Sequence, residues 1–216
     1  MASTRGLRPR GHPVFAAVYD LLGRAAEQEL LGAERRRCVA ACRGRVLEIG
    51  AGTGASFPYW LEAARAGRLE TLVAVEPDPH MRRRAAARAR RLGLKLELLP
   101  AAAEALPFPD ASFDAVASFL VLCTVDDPAR ALAEVRRVLR PGGTLAFLEH
   151  VRASGGGAAR WQRRLQPAWQ RLAAGCRLDR DTIFAVSAAG FAELDYRTRR
   201  LPFPIYRLVT GTARRT

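Results

Sequence analysis

The chain has 216 residues, which suits one domain, and its 49% of hydrophobic residues supports a buried core and argues against wholesale disorder. Lys and Arg number 35 against 21 Asp and Glu, and the formal net charge of +14 leaves nucleic acid, anionic lipid and small anions as partners to consider. The sequence has neither an uncharged apolar run of the roughly 18 residues that a membrane span needs nor the apolar core of a secretory signal. We therefore expect a cytoplasmic protein without a transmembrane segment.

The chain divides into segments that differ in composition and in the spacing of their apolar residues. Residues 1–12, rich in Gly, Pro and Arg, are predicted to form a disordered basic arm, and residues 13–44 a helical cap with apolar positions at helical spacing. Residues 45–150 alternate strand-like and helix-like segments and are predicted to be the core. Residues 151–216 are predicted to hold an acceptor-side insert and a C-terminal hairpin, so that 13–216 form a single domain.

Apolar segments in the core predict β-strands over residues 45–49, 69–76, 94–99, 113–118 and 144–149. Helices are predicted over residues 79–92, from Asp127-Pro128 to a stop at 140–143, and over 158–174. Two final strands, near 191–196 and 206–212, follow one another without a strong intervening helix, so we expect them to be antiparallel. This alternation predicts an α/β fold with a mostly parallel sheet.

A glycine-rich loop follows the first predicted strand, with the pattern Glu48-x-Gly50-x-Gly52-x-Gly54. Glycines at this point let the backbone approach a ligand and turn sharply into a helix. Glu76 ends the second predicted strand about 20 residues further on, where an acid accepts the ribose hydroxyls of a nucleotide cofactor. The pattern fits an NAD site, an S-adenosylmethionine site or a tight turn that binds no ligand.

Glu48 favours S-adenosylmethionine over NAD. Its carboxylate, placed inside the strand just before the first glycine, would face a cationic group. S-adenosylmethionine supplies such a group in its α-ammonium, whereas the pyrophosphate of NAD would be repelled. The chain is also too short for the second catalytic domain of a dehydrogenase.

Several strings between residues 46 and 143 carry a resemblance to a known family, and they are Val46-Leu47-Glu48-Ile49-Gly50-Ala51-Gly52-Thr53-Gly54, Val75-Glu76-Pro77, Ala103-Glu104-Ala105-Leu106-Pro107-Phe108, Ser112-Phe113-Asp114-Ala115-Val116 and Glu134-Val135-Arg136-Arg137-Val138-Leu139-Arg140-Pro141-Gly142-Gly143. The sequence resembles the class I S-adenosylmethionine-dependent methyltransferases, and within them the ubiquinone/menaquinone-type (methyltransferase type 11) subgroup. The resemblance implies a Rossmann-like seven-stranded sheet, mostly parallel with an antiparallel last strand, and helices on both faces. It also makes residues 45–150 the cofactor-binding core.

The resemblance further implies S-adenosyl-L-methionine as the cofactor, together with the residues that bind it. These are Tyr19 in the N-terminal helix, Glu48, Gly50, Ala51, Gly52, Thr53 and Gly54 for the methionine part, Glu76 and Pro77 for the ribose, Ala103, Glu104 and Leu106 near the adenine, and Ser118 and Leu120. One position departs from the subgroup, because Ala102 stands where an Asp usually binds the adenine amine. Either backbone groups around residues 102–104 then hold the adenine, or the affinity for the cofactor falls.

The second half resembles a narrower group in Leu120-Val121-Leu122-Cys123-Thr124-Val125, Glu149-His150-Val151, Pro167-Ala168-Trp169 and Gly175-Cys176. It is similar to the membrane-associated thiol S-methyltransferases of the methyltransferase-like group. The mammalian members carry an N-terminal membrane anchor, which we do not expect in this chain. The resemblance implies a thiol as the methyl acceptor.

Methyl transfer from a sulfonium is an in-line displacement without an obligatory metal, so the protein mainly aligns the reactants and excludes water. His150, at the carboxyl end of a predicted strand, is the candidate general base, and the alternative is a hydrogen-bonded structural histidine. Cys123 is interpreted as an apolar part of the substrate pocket wall, and Cys176 in the same way. Since the cysteines show no C-x-x-C pair and no histidine at zinc spacing, no metal is expected.

The predicted helical insert places Trp161, Leu165, Ala168, Trp169 and Leu172 on one stripe, with arginines off it. It could roof the acceptor pocket, with Trp161 and Trp169 contacting substrate. It could equally pack on the core, or lie on a membrane surface, which Trp and Arg on an amphipathic helix would suit. The sequence leaves these alternatives open.

Together these features predict a methyltransferase that acts on a small, apolar acceptor, either a thiol, a quinol-like compound or a lipid headgroup. The alternatives are an RNA methyltransferase and a non-catalytic protein that binds a nucleotide cofactor. Only the positive net charge supports RNA as the substrate. The arginines of residues 82–91 have no aromatic residues between them on which bases could stack. The expected partner is therefore a small-molecule acceptor, with no metal, with nucleic acid not favoured and with peripheral membrane contact left open.

Overall fold

The computed structural model describes residues 31–173 and 175–216, without the side chains of residues 171 and 172. The predicted basic arm of residues 1–12, the earlier part of the helical cap and Tyr19 lie outside the described residues. Residues 31–40 are helical and are named α1. The elements that follow are β1 Gly44–Ile49, α2 Phe57–Arg65, β2 Leu69–Val75, α3 Pro79–Leu92, β3 Glu97–Leu99, β4 Phe113–Phe119, α4 Pro128–Val138, β5 Leu139–Val151, α5 Gly156–Leu172, α6 Thr182–Ala188, β6 Phe191–Arg200 and β7 Arg207–Arg215.

The strands of this part of the chain form one seven-stranded sheet, in the order β3-β2-β1-β4-β5-β7-β6. The first five strands run parallel to one another. The last strand, β7, is antiparallel to both of its neighbours, β5 and β6. The predicted α/β fold, with a mostly parallel sheet and an antiparallel last strand, is therefore confirmed.

Side chains alternate between the two faces of the sheet and build a core on each face. In β5, Leu145 and Phe147 point to one face and belong to the same buried cluster as Val135 of α4. Leu148 points to the other face, in a cluster with Trp60 of α2. Because central parallel strands are apolar on both sides, helices must cover both faces, as the family resemblance implies.

The ends of the helices follow local signals in the sequence. α3 begins where the Asp78 side chain accepts hydrogen bonds from the backbone N–H groups of His80 and Met81. It ends at Gly93, whose φ of 66° is the left-handed conformation that closes helices. These limits agree with the predicted helix over residues 79–92. Within the described ranges, no helix is both long enough and apolar enough to cross a membrane.

Other boundaries differ from the sequence prediction for local reasons. β3 starts at Glu97 rather than at residue 94, because the backbone N–H of Leu94 binds the carbonyl of Ala89 and completes the end of α3. The sequence also does not predict α6, whose seven residues are too few for a helical pattern to emerge. Asp181 caps it by accepting a hydrogen bond from the N–H of Phe184, so the local signal lies in that cap.

Two buried glutamines attach α5 to the rest of the domain. The Gln162 side chain accepts a hydrogen bond from the N–H of Ala153 at 2.8 Å and donates to the carbonyl oxygen of Ile205 at 3.0 Å. The Gln166 side chain accepts from the N–H of Leu178 at 2.7 Å. The surface under α5 consists of loop backbone, whose polar groups need partners once water is excluded.

The predicted apolar stripe of this helix is therefore wrong in part. Trp161 is 53% exposed and Ala168 is also exposed, whereas the two glutamines face inward. Trp169 is half-buried, on the inward side. The backbone groups of the underlying loops need hydrogen-bond partners, so the face of α5 that carries the two glutamines is the one turned toward them.

Candidate active site

The order of the strands reverses between β1 and β4, which leaves a crevice at the carboxyl ends of these two strands. The loops that follow them meet closely, because a Cβ on Gly50 would lie 2.5 Å from a methyl carbon of Val121. Gly50 also has a φ of 59°. A larger residue at this position would strain the backbone and displace the loop after β4.

The remaining glycines of the loop share this left-handed backbone, with φ of 56° at Gly52 and 81° at Gly54. Gly54 packs against the ring of Phe57, the first residue of α2, so the chain turns directly into the helix. Among the described residues, no atom would lie within 4 Å of a Cβ on Gly52. The loop is therefore open at Gly52, while Ala51 and Thr53 on either side are buried.

Glu76, the residue after β2, ties this loop to the neighbouring strand. Its carboxylate accepts hydrogen bonds from the backbone N–H groups of Gly52 at 2.8 Å and Asp78 at 2.9 Å. Burial raises the pKa of Glu76 above its usual range, although these bonds oppose the shift. Each oxygen can accept a second hydrogen bond, so the carboxylate keeps the capacity to bind hydroxyl groups of a ligand. The adjacent Pro77 is exposed.

Glu48, one residue before the end of β1, is 1% exposed. Its oxygens accept hydrogen bonds from the hydroxyl of Ser56 at 2.5 Å and from the indole N–H of Trp60 at 2.8 Å. Burial raises the pKa of Glu48 to about 7, and the bonds from Ser56 and Trp60 limit the shift. A cation placed beside Glu48 would therefore change its ionisation near neutral pH. Sequence reasoning missed both partners, since only the turn into α2 brings them to β1.

The residues predicted on the adenine side are buried in the loop between β3 and β4. The Glu104 carboxylate accepts a hydrogen bond from the N–H of Asp126 at 3.0 Å, just before α4. The N–H of Leu106 donates to the Glu134 carboxylate at 2.8 Å. With Ala103 also buried, these contacts fix the loop against the start and the middle of α4.

Glu149 organises the loop after β4, and sequence reasoning missed this role. The residue is fully buried near the end of β5. Its Oε1 accepts hydrogen bonds from the Ser118 hydroxyl at 2.8 Å and from the N–H groups of Val121 at 2.9 Å and Leu122 at 3.1 Å. Its Oε2 accepts from the N–H of Cys123 at 3.3 Å. One carboxylate thus satisfies the donors of a whole turn, and this turn includes Leu120 with a φ of 61°.

His150 is 4% exposed and lies beside two cysteines. Its Nε2 is 3.1 Å from the carbonyl oxygen of Arg177, which can only accept, so Nε2 carries the hydrogen and Nδ1 is the basic nitrogen. The Sγ of Cys176 lies 3.2 Å from Nε2 and 3.9 Å from Nδ1. Cys123 completes the group, with one candidate ligand atom from each residue and all of them within 4.8 Å of one another.

The two tryptophans of α5 have different surroundings. Trp169 donates its indole N–H to the Sγ of Cys176 at 3.3 Å, which places it next to the His150 group. Trp161 is exposed and, with Arg160, Arg163 and Arg164, lines a surface cavity of about 560 Å³. The structure therefore brings Cys123, His150 and Trp169 together and leaves Trp161 on the outer side of the helix.

Replacement of the Glu149 carboxylate tests its organising role. In Glu149→Gln an amide nitrogen replaces one oxygen and faces donors that it cannot satisfy. We expect the free energy of unfolding to fall by about 2–4 kcal/mol, measured by urea denaturation. The control is Glu62→Gln, which breaks an exposed ion pair with Arg36 and should change stability far less. Equal losses in the two variants would contradict this role for Glu149.

This chain is similar in sequence and in fold to known methyltransferases. A family described as a methyltransferase domain matches residues 47–147. The rat thiol S-methyltransferase TMT1B is 31% identical over 205 residues, which cover 93% of this chain and 75% of that protein. Human thiol S-methyltransferase TMT1A is 31% identical over 192 residues, 87% of this chain and 76% of that protein. The crystal structure of a SAM-dependent methyltransferase from Aquifex aeolicus superposes with a TM-score of 0.68 at 18% identity, over 96% of this chain and all of that one.

The residues of the crevice fit S-adenosylmethionine. Two buried carboxylates, Glu48 and Glu76, flank a glycine loop that is open at Gly52. This set suits a ligand that combines a cationic amino-acid part with a ribose diol, and it would repel a pyrophosphate. From the relatives, the fold and this fit, we conclude that the chain belongs to the S-adenosylmethionine-dependent methyltransferase family that includes the thiol S-methyltransferases TMT1A and TMT1B.

Proposed function

We propose that this methyltransferase transfers its methyl group to the sulfur of a small, apolar thiol. The observation that carries the proposal is the extent of the similarity to rat TMT1B, a thiol S-methyltransferase, over 93% of this chain. A match confined to residues 47–147 would support only the binding of the cofactor. The match to rat TMT1B also includes the end of β5, α5 and the loop that holds Cys176, where we propose that the acceptor binds.

The proposed cofactor contacts combine the family resemblance with the geometry of the crevice. Glu48, Gly50, Ala51, Gly52, Thr53 and Gly54 hold the methionine part. A contact from Tyr19, which lies outside the described residues, rests on the family resemblance alone. Glu76, with Pro77 beside it, binds the ribose hydroxyls. The loop at Ala103, Glu104 and Leu106 lies along the adenine, and Ser118 and Leu120 border the cofactor in the turn that Glu149 holds. The open side of Gly52 and the spare acceptor capacity of Glu76 support this arrangement.

The acceptor is proposed to bind beyond the end of β5. Cys123 and Trp169 supply apolar surface beside His150, and Trp161 lines a surface cavity on the outer side of α5 together with three arginines. Contact of these residues with substrate stays a prediction. An apolar surround suits a thiol, which needs little polar recognition and whose sulfur is readily desolvated.

His150 is proposed to take the proton of the acceptor thiol. Because Arg177 fixes the hydrogen on Nε2, the lone pair of Nδ1 is available for this transfer. S-adenosylmethionine supplies an activated methyl group on a sulfonium centre. The protein aligns the thiol sulfur with this carbon and excludes water, which is the main catalytic contribution in such a displacement.

A direct test is a methyl-transfer assay with labelled S-adenosylmethionine on alkyl thiols, an aryl thiol, phenols, amines, phosphatidylethanolamine vesicles and total RNA. We expect label on the thiols, at a kcat/KM at least about tenfold above that on the phenols and amines, since desolvated sulfur is the better nucleophile. Label on RNA or on phosphatidylethanolamine alone would reject the proposal in favour of that acceptor.

The same assay contains an internal control for His150. In His150→Gln, activity on an alkyl thiol should fall by about 10²-fold, the usual contribution of a general base. Activity on an acidic aryl thiol, already ionised at neutral pH, should fall by less than about tenfold, because no proton has to be removed. Equal losses on both thiols would assign His150 a structural role.

The ionisation of Glu48 predicts how many protons are released when the cofactor binds. Burial holds the pKa of Glu48 at about 7, and the ammonium group of the cofactor favours the ionised form, so the pKa should fall on binding. Cofactor binding at pH 7 should therefore release protons, measured by calorimetry in buffers of different ionisation enthalpy. Glu48→Gln should lose this release and bind more weakly, whereas exposed Glu70→Gln should keep it. Unchanged proton release in Glu48→Gln would show that Glu48 does not face the ammonium.

A further inference from the structure

We propose that Cys123, His150 and Cys176, named here the Cys–His–Cys cluster, form a binding site for a thiophilic divalent cation such as Zn²⁺. The residues are 27 and 26 positions apart along the chain, so no spacing rule in the sequence indicates them. The sequence analysis expects no metal because it considers only residues that are close along the chain. The fold brings these three distant residues together, and the proposal therefore revises that expectation.

The ligand atoms converge from separate segments. Cys123 follows β4, His150 is the residue before the end of β5, and Cys176 lies between α5 and α6. All of the candidate ligand atoms lie within 4.8 Å of one another. In a tetrahedral zinc site, with Zn–S near 2.3 Å and Zn–N near 2.0–2.1 Å, neighbouring ligand atoms are about 3.5–3.8 Å apart. The Cys176 sulfur lies 3.9 Å from Nδ1, just above this range, so a small movement of the side chains suffices.

The backbone holds the cluster together without a metal. The N–H of Arg177 donates to the carbonyl oxygen of Cys123 at 2.9 Å, which joins the two cysteine loops directly. Glu149 fixes the N–H of Cys123, and β5 pairs with β7 at His150 and Leu208. A site that is already assembled loses little conformational entropy when an ion binds.

The groups around the ligands match those that support metal ligands. A metal-bound histidine commonly donates its other ring N–H to a carbonyl, as Nε2 of His150 does to Arg177. A donor directed at a cysteine sulfur stabilises the thiolate that binds a metal, and the indole of Trp169 is such a donor toward Cys176. The cation would then bind Nδ1 and the two sulfurs.

The other cysteines provide a contrast. Cys38 and Cys42 are buried, and their thiols donate to the carbonyl oxygens of Phe147 and Cys38. Burial raises the pKa of Cys38 to about 12, and the pKa of Cys176 is raised as well, chiefly by its hydrogen bond with Cys123, so the contrast lies in the neighbouring ligand atoms rather than in acidity. These residues lie in the core on one face of the sheet and serve as matched controls for the cluster.

One consequence rests on the proposed function. The nitrogen that would bind the cation is the one assigned to deprotonate the acceptor, so an occupied cluster should not methylate alkyl thiols. The site would then be inhibitory. Cation binding itself does not depend on the identity of the acceptor, so failure of the thiol assay would leave the metal site untouched.

The test uses the full chain after metal removal by a chelator. Co²⁺ titration should show thiolate-to-cobalt charge-transfer absorption that saturates at one ion per chain, and Zn²⁺ should displace it. Cys123→Ser and Cys176→Ser should each weaken Zn²⁺ binding by at least about 10²-fold, measured by competition with a chromophoric chelator. The control Cys38→Ser should bind as the unmodified chain does.

A readout without mutations guards against variants that fail to fold. Bound Zn²⁺ should protect Cys123 and Cys176, but not Cys38 and Cys42, from slow alkylation mapped by mass spectrometry. Absence of the cobalt–thiolate absorption, absence of this selective protection, or equal weakening in Cys38→Ser would each overturn the proposal.

Discussion

Burying a carboxylate is costly unless hydrogen bonds satisfy it, and this constraint shapes the active-site edge of the sheet. Glu48, Glu76 and Glu149 are buried at or near the carboxyl ends of β1, β2 and β5. The donors that satisfy them come from the site loops and the start of α2: Gly52 for Glu76, the turn after β4 for Glu149, and Ser56 with Trp60 of α2 for Glu48. The loops take the conformations that these carboxylates require, and the crevice results.

The same carboxylates explain how a basic protein can bind a cationic cofactor. The net charge of +14 describes the chain as a whole, whereas two buried carboxylates, Glu48 and Glu76, flank the glycine loop, with Arg82 bonded to the backbone carbonyl of Glu76 on its outer side. Arginines such as Arg36, Arg140 and Arg152 form ion pairs at exposed sites, and Arg160 and Arg163 lie on the outer face of α5. Short-range burial and hydrogen bonding, rather than net charge, set the preference of the pocket, since solvent screens exposed charges.

Much of the cofactor half could be predicted from the sequence because its signals are local. Each signal acts over a few residues: the glycine pattern, the helix caps Asp78 and Asp127, and the short apolar segments that form strands. These signals predict the parallel strands of the sheet and the limits of α3 correctly. The role of Glu149 and the Cys–His–Cys cluster could not be predicted this way, because their partners are distant in sequence and meet only through the strand order.

The insert α5 shows a different limit. Its tryptophans and leucines suggest an apolar face, yet Gln162 and Gln166 point inward. These side chains pair with backbone donors and acceptors of the loops beneath the helix, and an amphipathic pattern carries no information about what lies there. Predicting such a face requires knowing the polar groups of the neighbouring loops as well as the helix itself.

A pocket defined by buried carboxylates is expected to select a cationic nucleoside cofactor. Calorimetric titration of the full chain with S-adenosylmethionine and with NADH tests it most directly, with Glu76→Ala and the exposed Glu70→Ala as a matched pair. We expect S-adenosylmethionine, but not NADH, to bind at sub-millimolar concentration. Binding should weaken at least about tenfold in Glu76→Ala, since hydrogen bonds to a charged group are lost, and should be unchanged in Glu70→Ala. Binding of NADH with equal affinity, or of S-adenosylmethionine unaffected by Glu76→Ala, would contradict it.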